Sequence, residues 1–278
     1  MSEMLFGTVG SPKSTPLKPG GSVGAISRIA ALGLQALELA WVQSVRVSES
    51  TCQAIKTAGI QNNIKISVHA PYYINLNAAA EEWPKSKKRI IDAAYFGFLA
   101  GATDIVFHPG TYFGNPPSEV LAIAIPRLAD CVAELKKKKV KVTLRAEVMG
   151  KSAMLGSLED ALEMSKQIPG VAPCMDFAHL HARPGDGSMN TYEEWSKVLE
   201  KYHKALGDTA LKNMHIHLSG IEYSAKGERN HLMLSEADLD IHALFNALKA
   251  FDAGGRIMCE SPVLEDDALI LQKIWGEV

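Results

Sequence analysis

Eight apolar runs with strand character recur along this chain, at Leu5 to Val9, Ala36 to Trp41, Ile64 to His69, Asp104 to His108, Val140 to Glu147, Val171 to Asp176, Leu211 to His217 and Gly255 to Glu260. Between and after them lie stretches of helical periodicity: Val23 to Leu32, Ser48 to Ala58, Lys85 to Ala100, Ser118 to Lys137, Leu158 to Gln167, Tyr192 to Leu206, Leu239 to Phe251 and Glu265 to Trp275. Such alternation demands a parallel sheet covered by helices, either closed as a barrel or left open and doubly wound. Eight units, and no GxGxxG after the first run, favour an α/β fold made of a single (β/α)8 barrel. Gly10, Gly20 and Gly21 flank Pro12, Pro16 and Pro19, which reads as a flexible first loop rather than a nucleotide cradle.

The 278 residues would also fit two modest domains, but one barrel spanning residues 1–278 is the simpler expectation. A composition of 47% hydrophobic and 22% charged residues supports a large core and argues against disorder. The opening Met-Ser-Glu-Met-Leu-Phe lacks a basic region followed by a long apolar stretch, and no membrane-spanning run follows. A cytoplasmic monomer is expected, with no membrane partner. Cys52, Cys131, Cys174 and Cys259 are scattered without a CxxC pair, as reduced thiols would be. A net charge of -2 excludes an overall basic field, so any nucleic-acid contact must be local.

In parallel barrels the chemistry sits at the carboxyl ends of the strands. Six metal-competent residues end successive runs here: His69, His108, Glu147, Asp176, His217 and Glu260. A polar group ending an apolar strand is costly to bury unless paired or coordinated, so six at one rim need a common explanation. His69 alone could be a hydrogen-bonded structural histidine, but His108 repeats the pattern one unit later and shifts the reading toward metal. Glu147 could bridge two cations or, alternatively, pair with Arg145 on the same strand face. Asp176 and His179 form an Asp-x-x-His pair. His215 and His217 alternate and point to one side, with His217 the preferred ligand and His215 deeper or behind it. Mixed histidine and carboxylate ligation suits zinc, with manganese or iron as substitutes.

At these residues the chain resembles the endonuclease IV family of apurinic/apyrimidinic endonucleases, within the wider xylose-isomerase-like TIM barrels. The resemblance runs in order through His69-Ala-Pro-Tyr72-Tyr-Ile-Asn75-Leu, Phe107-His-Pro-Gly110, Glu147, Met175-Asp-Phe-Ala-His179, His217-Leu, Asn230-His231 and Cys259-Glu-Ser-Pro262. It implies a metal-dependent phosphodiesterase that cuts double-stranded DNA 5′ to abasic sites in base-excision repair, using two or three zinc ions. His69 and His108 would hold the first ion, with Glu147 bridging to a second completed by Asp176, His217 and Glu260. His179 and His231 would hold a third, and Glu147 and Glu260 would be the catalytic carboxylates. Tyr72 would meet the abasic nucleotide, with Tyr73 and Trp41 on similar loops.

One departure from the family pattern stands out. The third-metal segment usually offers Asp-x-His, whereas His231 here follows Arg229-Asn230, with Glu228 three residues back. Arg229 cannot ligate a metal and could contact phosphate instead, and Glu228 could replace the missing carboxylate after a loop adjustment. Lys13, Lys18, Arg46, Lys151, Arg183 and Lys226 lie on upper loops suited to phosphate, whereas the run Lys136 to Lys139 belongs to the opposite face. Two rival readings are a sugar isomerase or epimerase of the same superfamily, using one divalent ion, and a non-catalytic DNA-damage binding protein.

Overall fold

The computed structural model describes residues 2–278. Eight parallel strands close into one barrel: β1 (Met4–Val9), β2 (Ala36–Ala40), β3 (Lys65–His69), β4 (Ala102–Phe107), β5 (Thr143–Glu147), β6 (Val171–Asp176), β7 (Met214–Leu218) and β8 (Gly255–Cys259). β8 returns to β1 in a register running from Met4↔Gly255 to Thr8↔Cys259. Closure leaves no free edge, so each strand's backbone is paired on both sides.

The outer layer consists of α1 (Gly21–Ala31), α2 (Glu49–Gln61), α3 (Trp83–Leu99), α4 (Pro117–Lys137), α5 (Leu158–Gln167), α6 (Phe177–Ala182), α7 (Tyr192–Leu211), α8 (Ile241–Ala250) and α9 (Glu265–Glu277). Local chemistry sets several starts. Ser48 accepts from Thr51 N at α2, and Ser157 with Asp160 and Thr191 with Glu194 form capping boxes at α5 and α7. The expected starts at Leu158 and Tyr192 therefore coincide with the observed ones. Between helices and sheet lies the main core, where Phe6 and Phe245 both meet Trp275 of α9 and Phe177 packs edge-on to Trp195. Among the described residues no helix is long and apolar enough to cross a membrane, and all four cysteines are free and buried.

Several boundaries differ from the sequence expectation. Leu211 ends α7 rather than opening β7, because the helix continues past a kink at Gly207, whose φ of 78° and ψ of 178° suit glycine. His108 and Glu260 fall one residue beyond β4 and β8. Three features at the strands' carboxyl ends carry no clear sequence signal: the short helix α6, a two-stranded ladder joining Gly110–Thr111 to Met154–Leu155, and a hairpin of Gly220–Ser224 with Gly227–Leu232. Lys136 to Lys139 occupy the end of α4 and the turn into β5, on the amino-terminal face as expected.

The barrel interior is unusually polar for a layer that commonly holds Val, Ile and Leu. Arg145 does not pair with Glu147, contrary to that alternative; it points toward the amino-terminal end, where its Nε donates to Asp104 Oδ1 at 2.6 Å. Its other nitrogens donate to Pro173 O and Asn213 O, and Arg256 Nη2 donates to Asp104 Oδ2 at 2.9 Å. Burial acts to raise the Asp104 pKa, but the charges of Arg145 and Arg256 outweigh it and hold the carboxyl well below its ordinary range.

Removing one partner of such a cluster strands buried charge. Asp104→Ala should cost about 3–5 kcal/mol of unfolding free energy in urea titrations. Because the folded-state pKa is depressed, the Asp104 contribution is complete above its unfolded pKa of roughly 3.9 and declines as pH falls below it. The difference in stability between parent and variant should shrink in that acid range.

Candidate metal centre

Glu147 ends β5 at the centre of the carboxyl-terminal mouth, 1% exposed. Its Oε2 lies 3.2 Å from His69 Nε2, at the end of β3, and 3.2 Å from His108 Nε2, just past β4. Its Oε1 lies 3.3 Å from His179 Nδ1 and 3.8 Å from His217 Nδ1. Glu260, following β8, places Oε1 3.3 Å from His217 Nδ1, and Asp176 Oδ2 sits 3.1 Å from His179 Nδ1. The six strand-end residues thus converge, as the barrel expectation required. A cavity of about 470 Å³ opens over them, lined by Tyr72, Glu228, Arg229 and His231 as well as by rim residues.

Two donor sets emerge, His69–His108–Glu147 and Glu147–Asp176–His217–Glu260, each with ligand atoms within 4.8 Å of one another. They share Glu147. His69 and His179 are each oriented by a backbone carbonyl at one ring nitrogen: His69 Nδ1 meets Ala70 O at 2.9 Å and His179 Nδ1 meets Val148 O at 2.9 Å. That leaves Nε2 of each directed at a carboxylate, the arrangement a metal-ligating imidazole takes. His217 is fully buried, and neither of its ring nitrogens has an in-line hydrogen bond. A group in that state costs about 1–3 kcal/mol unless something accepts its lone pair. The residues present therefore fit divalent metal.

The electrostatics agree. Three buried carboxylates at one rim cannot all ionise cheaply without cations. Burial pushes Asp176 up to about 6, assisted by Glu260 and Glu147 against the pull of His179. Burial also works to raise Glu260 and Glu147, yet His217 brings Glu260 down to about 2, and His108, His179 and His217 hold Glu147 well below its usual value.

The third expected group depends on the hairpin after β7. Glu222 faces Asn230 while Tyr223 faces Glu228, so Arg229 is the extra residue of a β-bulge. In a regular strand, residues three apart such as Glu228 and His231 would point to opposite sides. With the bulge, Glu228 Oε2 reaches His179 Nε2 at 3.1 Å, and the His231 ring lies 5.7 Å from that of His179. Glu228 is also held by Gly150 N at 2.9 Å, where a Cβ would fall 2.3 Å from the carboxylate and so requires glycine. This group is looser than the two shared by Glu147. Arg229 itself turns to Glu222, with Nη1 at 3.0 Å, and remains at the cavity wall.

Tyr72 is 47% exposed, stacks on His108 at 4.9 Å and lies steeply inclined to the His69 ring at 5.3 Å. Arg183 is not a free upper-loop cation as expected: it donates to Met149 O, Lys151 O and Met154 O, clamping the loop after β5. Two buried residues lie outside the sequence expectation. Glu38 sits inside β2, where its Oε2 accepts from His215 Nε2 at 2.8 Å and from Ser67 at 2.7 Å, and its Oε1 lies 3.0 Å from His217 Nε2. His181 on α6 joins Asp238 at 3.0 Å and fastens the hairpin region, since Asp238 also accepts from Tyr223. The signal for Glu38 is a lone carboxylate within Ala36-Leu-Glu-Leu-Ala40, a position that a search of strand ends passes over. His215 lies a layer below His217, and burial depresses it to about 4 despite Glu38.

Carboxylates behind a metal-ligating histidine tune affinity by about 10–100-fold. Glu38→Gln should weaken metal binding by that order in competitive chelator titrations, with the fold unchanged by circular dichroism.

The xylose isomerase-like TIM barrel family description matches residues 26–274. An uncharacterized protein of Methanocaldococcus jannaschii is 37% identical over 276 residues, covering 99% of this chain and 98% of that one. A probable endonuclease 4 of Oceanobacillus iheyensis is 30% identical over 194 residues, 66% of this chain but only 60% of the relative's length. Among solved structures, endonuclease IV from Thermus thermophilus superposes with a TM-score of 0.70 at 19% identity, covering 99% and 98% of the two chains. A D-tagatose 3-epimerase-like protein gives 0.72 at 19% identity, covering 100% and 96%. At such identities the likeness is one of fold alone, shared by an endonuclease and an epimerase-like protein. With nine-tenths of its length matched, the chain belongs to the xylose isomerase-like TIM barrel family.

Proposed function

We propose that this protein is a zinc-dependent endonuclease that hydrolyses the phosphodiester 5′ to abasic sites in double-stranded DNA. The observation that carries this reading is the pair of donor sets joined at Glu147. A single-ion sugar enzyme would need only one of them, whereas His69 and His108 supply a second group next to the first. Adjacent divalent ions, when bound, activate water and neutralise charge on the attacked phosphate and its leaving oxygen. In that reading His69 and His108 hold one ion, Asp176, His217 and Glu260 a second, and Glu147 both.

The chain's remaining residues act by position. Glu260 lies 11% exposed at the cavity floor, where its carboxylate can orient the attacking water. Tyr72, stacked over His108 and half exposed, is placed to fill the gap left by an extruded nucleotide. Lys151 and Lys226 flank the hairpin and loop around the mouth and supply local positive charge to a chain of net charge -2. DNA affinity would accordingly be local and salt-sensitive.

The direct test is incubation of metal-loaded protein with a duplex bearing one abasic analogue. Incision 5′ to the lesion should appear, vanish with chelator, and fall below detection in Glu260→Gln without loss of fold. No incision by protein of confirmed metal content rejects the proposal. One manganese or magnesium per chain, in place of several zinc ions, would favour the sugar epimerase reading.

The bulge at Arg229 yields a separate expectation. Glu228→Gln should lower zinc content by one ion per chain relative to the parent in elemental analysis. Equal zinc content in the two proteins would remove Glu228 from the ligand set.

A further inference from the structure

Beneath the rim, Cys174, His215 and His217 each offer a ligand atom, and the three atoms lie within 4.8 Å of one another. All three residues are fully buried. Cys174 on β6 and His215 on β7 are register partners, and their side chains share the barrel interior with His217 one layer above. The set lies outside the two rim groups except at His217.

Hydrogen bonding orients this set and leaves it incomplete. Glu38 Oε2 accepts from His215 Nε2 at 2.8 Å, which puts the ring proton there and the lone pair on Nδ1. That Nδ1 is buried without a hydrogen-bond partner. His217 Nε2 and Glu38 Oε1 lie 3.0 Å apart but out of line for a hydrogen bond, so Glu38 is the one polar neighbour a bound ion would displace from that nitrogen. Buried polar atoms rarely go unpaired, and a partnerless imidazole nitrogen beside a second imidazole and a thiol calls for a partner. A sulfur with two imidazole nitrogens is a borderline-soft donor set, suited to Zn²⁺ or Co²⁺ rather than to Mg²⁺ or Ca²⁺.

We propose that Cys174, His215 and His217 hold a further divalent ion inside the barrel, with Glu38 orienting the His215 ring. With both layers filled, His217 would serve them as an imidazolate, Nδ1 toward the rim ion and Nε2 inward, its ring proton leaving to solvent. The Cys174 thiol releases its proton to solvent on binding, and the thiolate becomes a ligand. An ion here braces β6 against β7 directly under the rim, so it holds His217 in place from below. The proposal does not depend on which reaction occurs above.

Sulfur makes the test specific, because the rim groups contain only nitrogen and oxygen donors. The full chain, stripped of metal and reloaded with Co²⁺, should show a near-ultraviolet thiolate-to-cobalt charge-transfer band. Cys174→Ser should lose that band and one equivalent of cobalt, whereas Cys259→Ser, altered on the outward face of β8, should keep both. His215→Gln should lose the same equivalent with the sulfur still in place. A wild-type protein whose visible cobalt bands show loaded rim sites, but which lacks the thiolate band, overturns the proposal and leaves a hydrogen-bonded cluster in its place.

Discussion

One carboxylate, Glu147, lies almost sealed from water with nitrogens of four imidazoles within 3.8 Å of its two oxygens. Isolated, such a charge would be expelled or neutralised. It persists because five strands and the loops behind them deliver their donors to one point. Closure of the sheet makes that delivery possible: an open sheet would fan His69 and Glu260 to different places, whereas a barrel turns strand order into a ring. The cavity and the paired donor groups both follow from this arrangement.

Below Glu147 the barrel is organised in polar layers. Glu38, Ser67 and His215 lie beneath His217, and Asp104 with Arg145 and Arg256 lies toward the amino-terminal end. Each layer fixes the side chains of the one above, since a ligand histidine is only as well aimed as the group holding its other nitrogen. The outer surface of the same strands is apolar and carries the helices. Stability therefore comes mainly from the sheet–helix layer, while the interior is given over to holding charge in place.

Legibility in the residues depends on whether the signal is local. His69, His108, Glu147, Asp176, His217 and Glu260 are visible because each interrupts an apolar run at its end. The starts expected at Leu158 and Tyr192 hold because the capping boxes of Ser157 with Asp160 and Thr191 with Glu194 are also local. Glu38 is hidden because it lies in the middle of its strand, Ala36–Ala40, where inward direction depends on strand register. Arg145 suggests Glu147 as a partner because Asp104, 41 residues away, becomes its neighbour only once β4 and β5 pair. Arg183 resembles a free cation until folding wraps the loop after β5 around it.

The (β/α)8 plan and the identity of the rim donors are already present in the linear chain, because strand periodicity and polar strand ends are properties of short segments. Which donors meet, that Glu147 is shared, and that a one-residue bulge at Arg229 brings Glu228 beside His179 are settled only in three dimensions. So is the meeting of Cys174, His215 and Glu38 beneath them. The physical reason is that convergence depends on barrel closure and inter-strand register, quantities set by contacts between residues far apart in the chain.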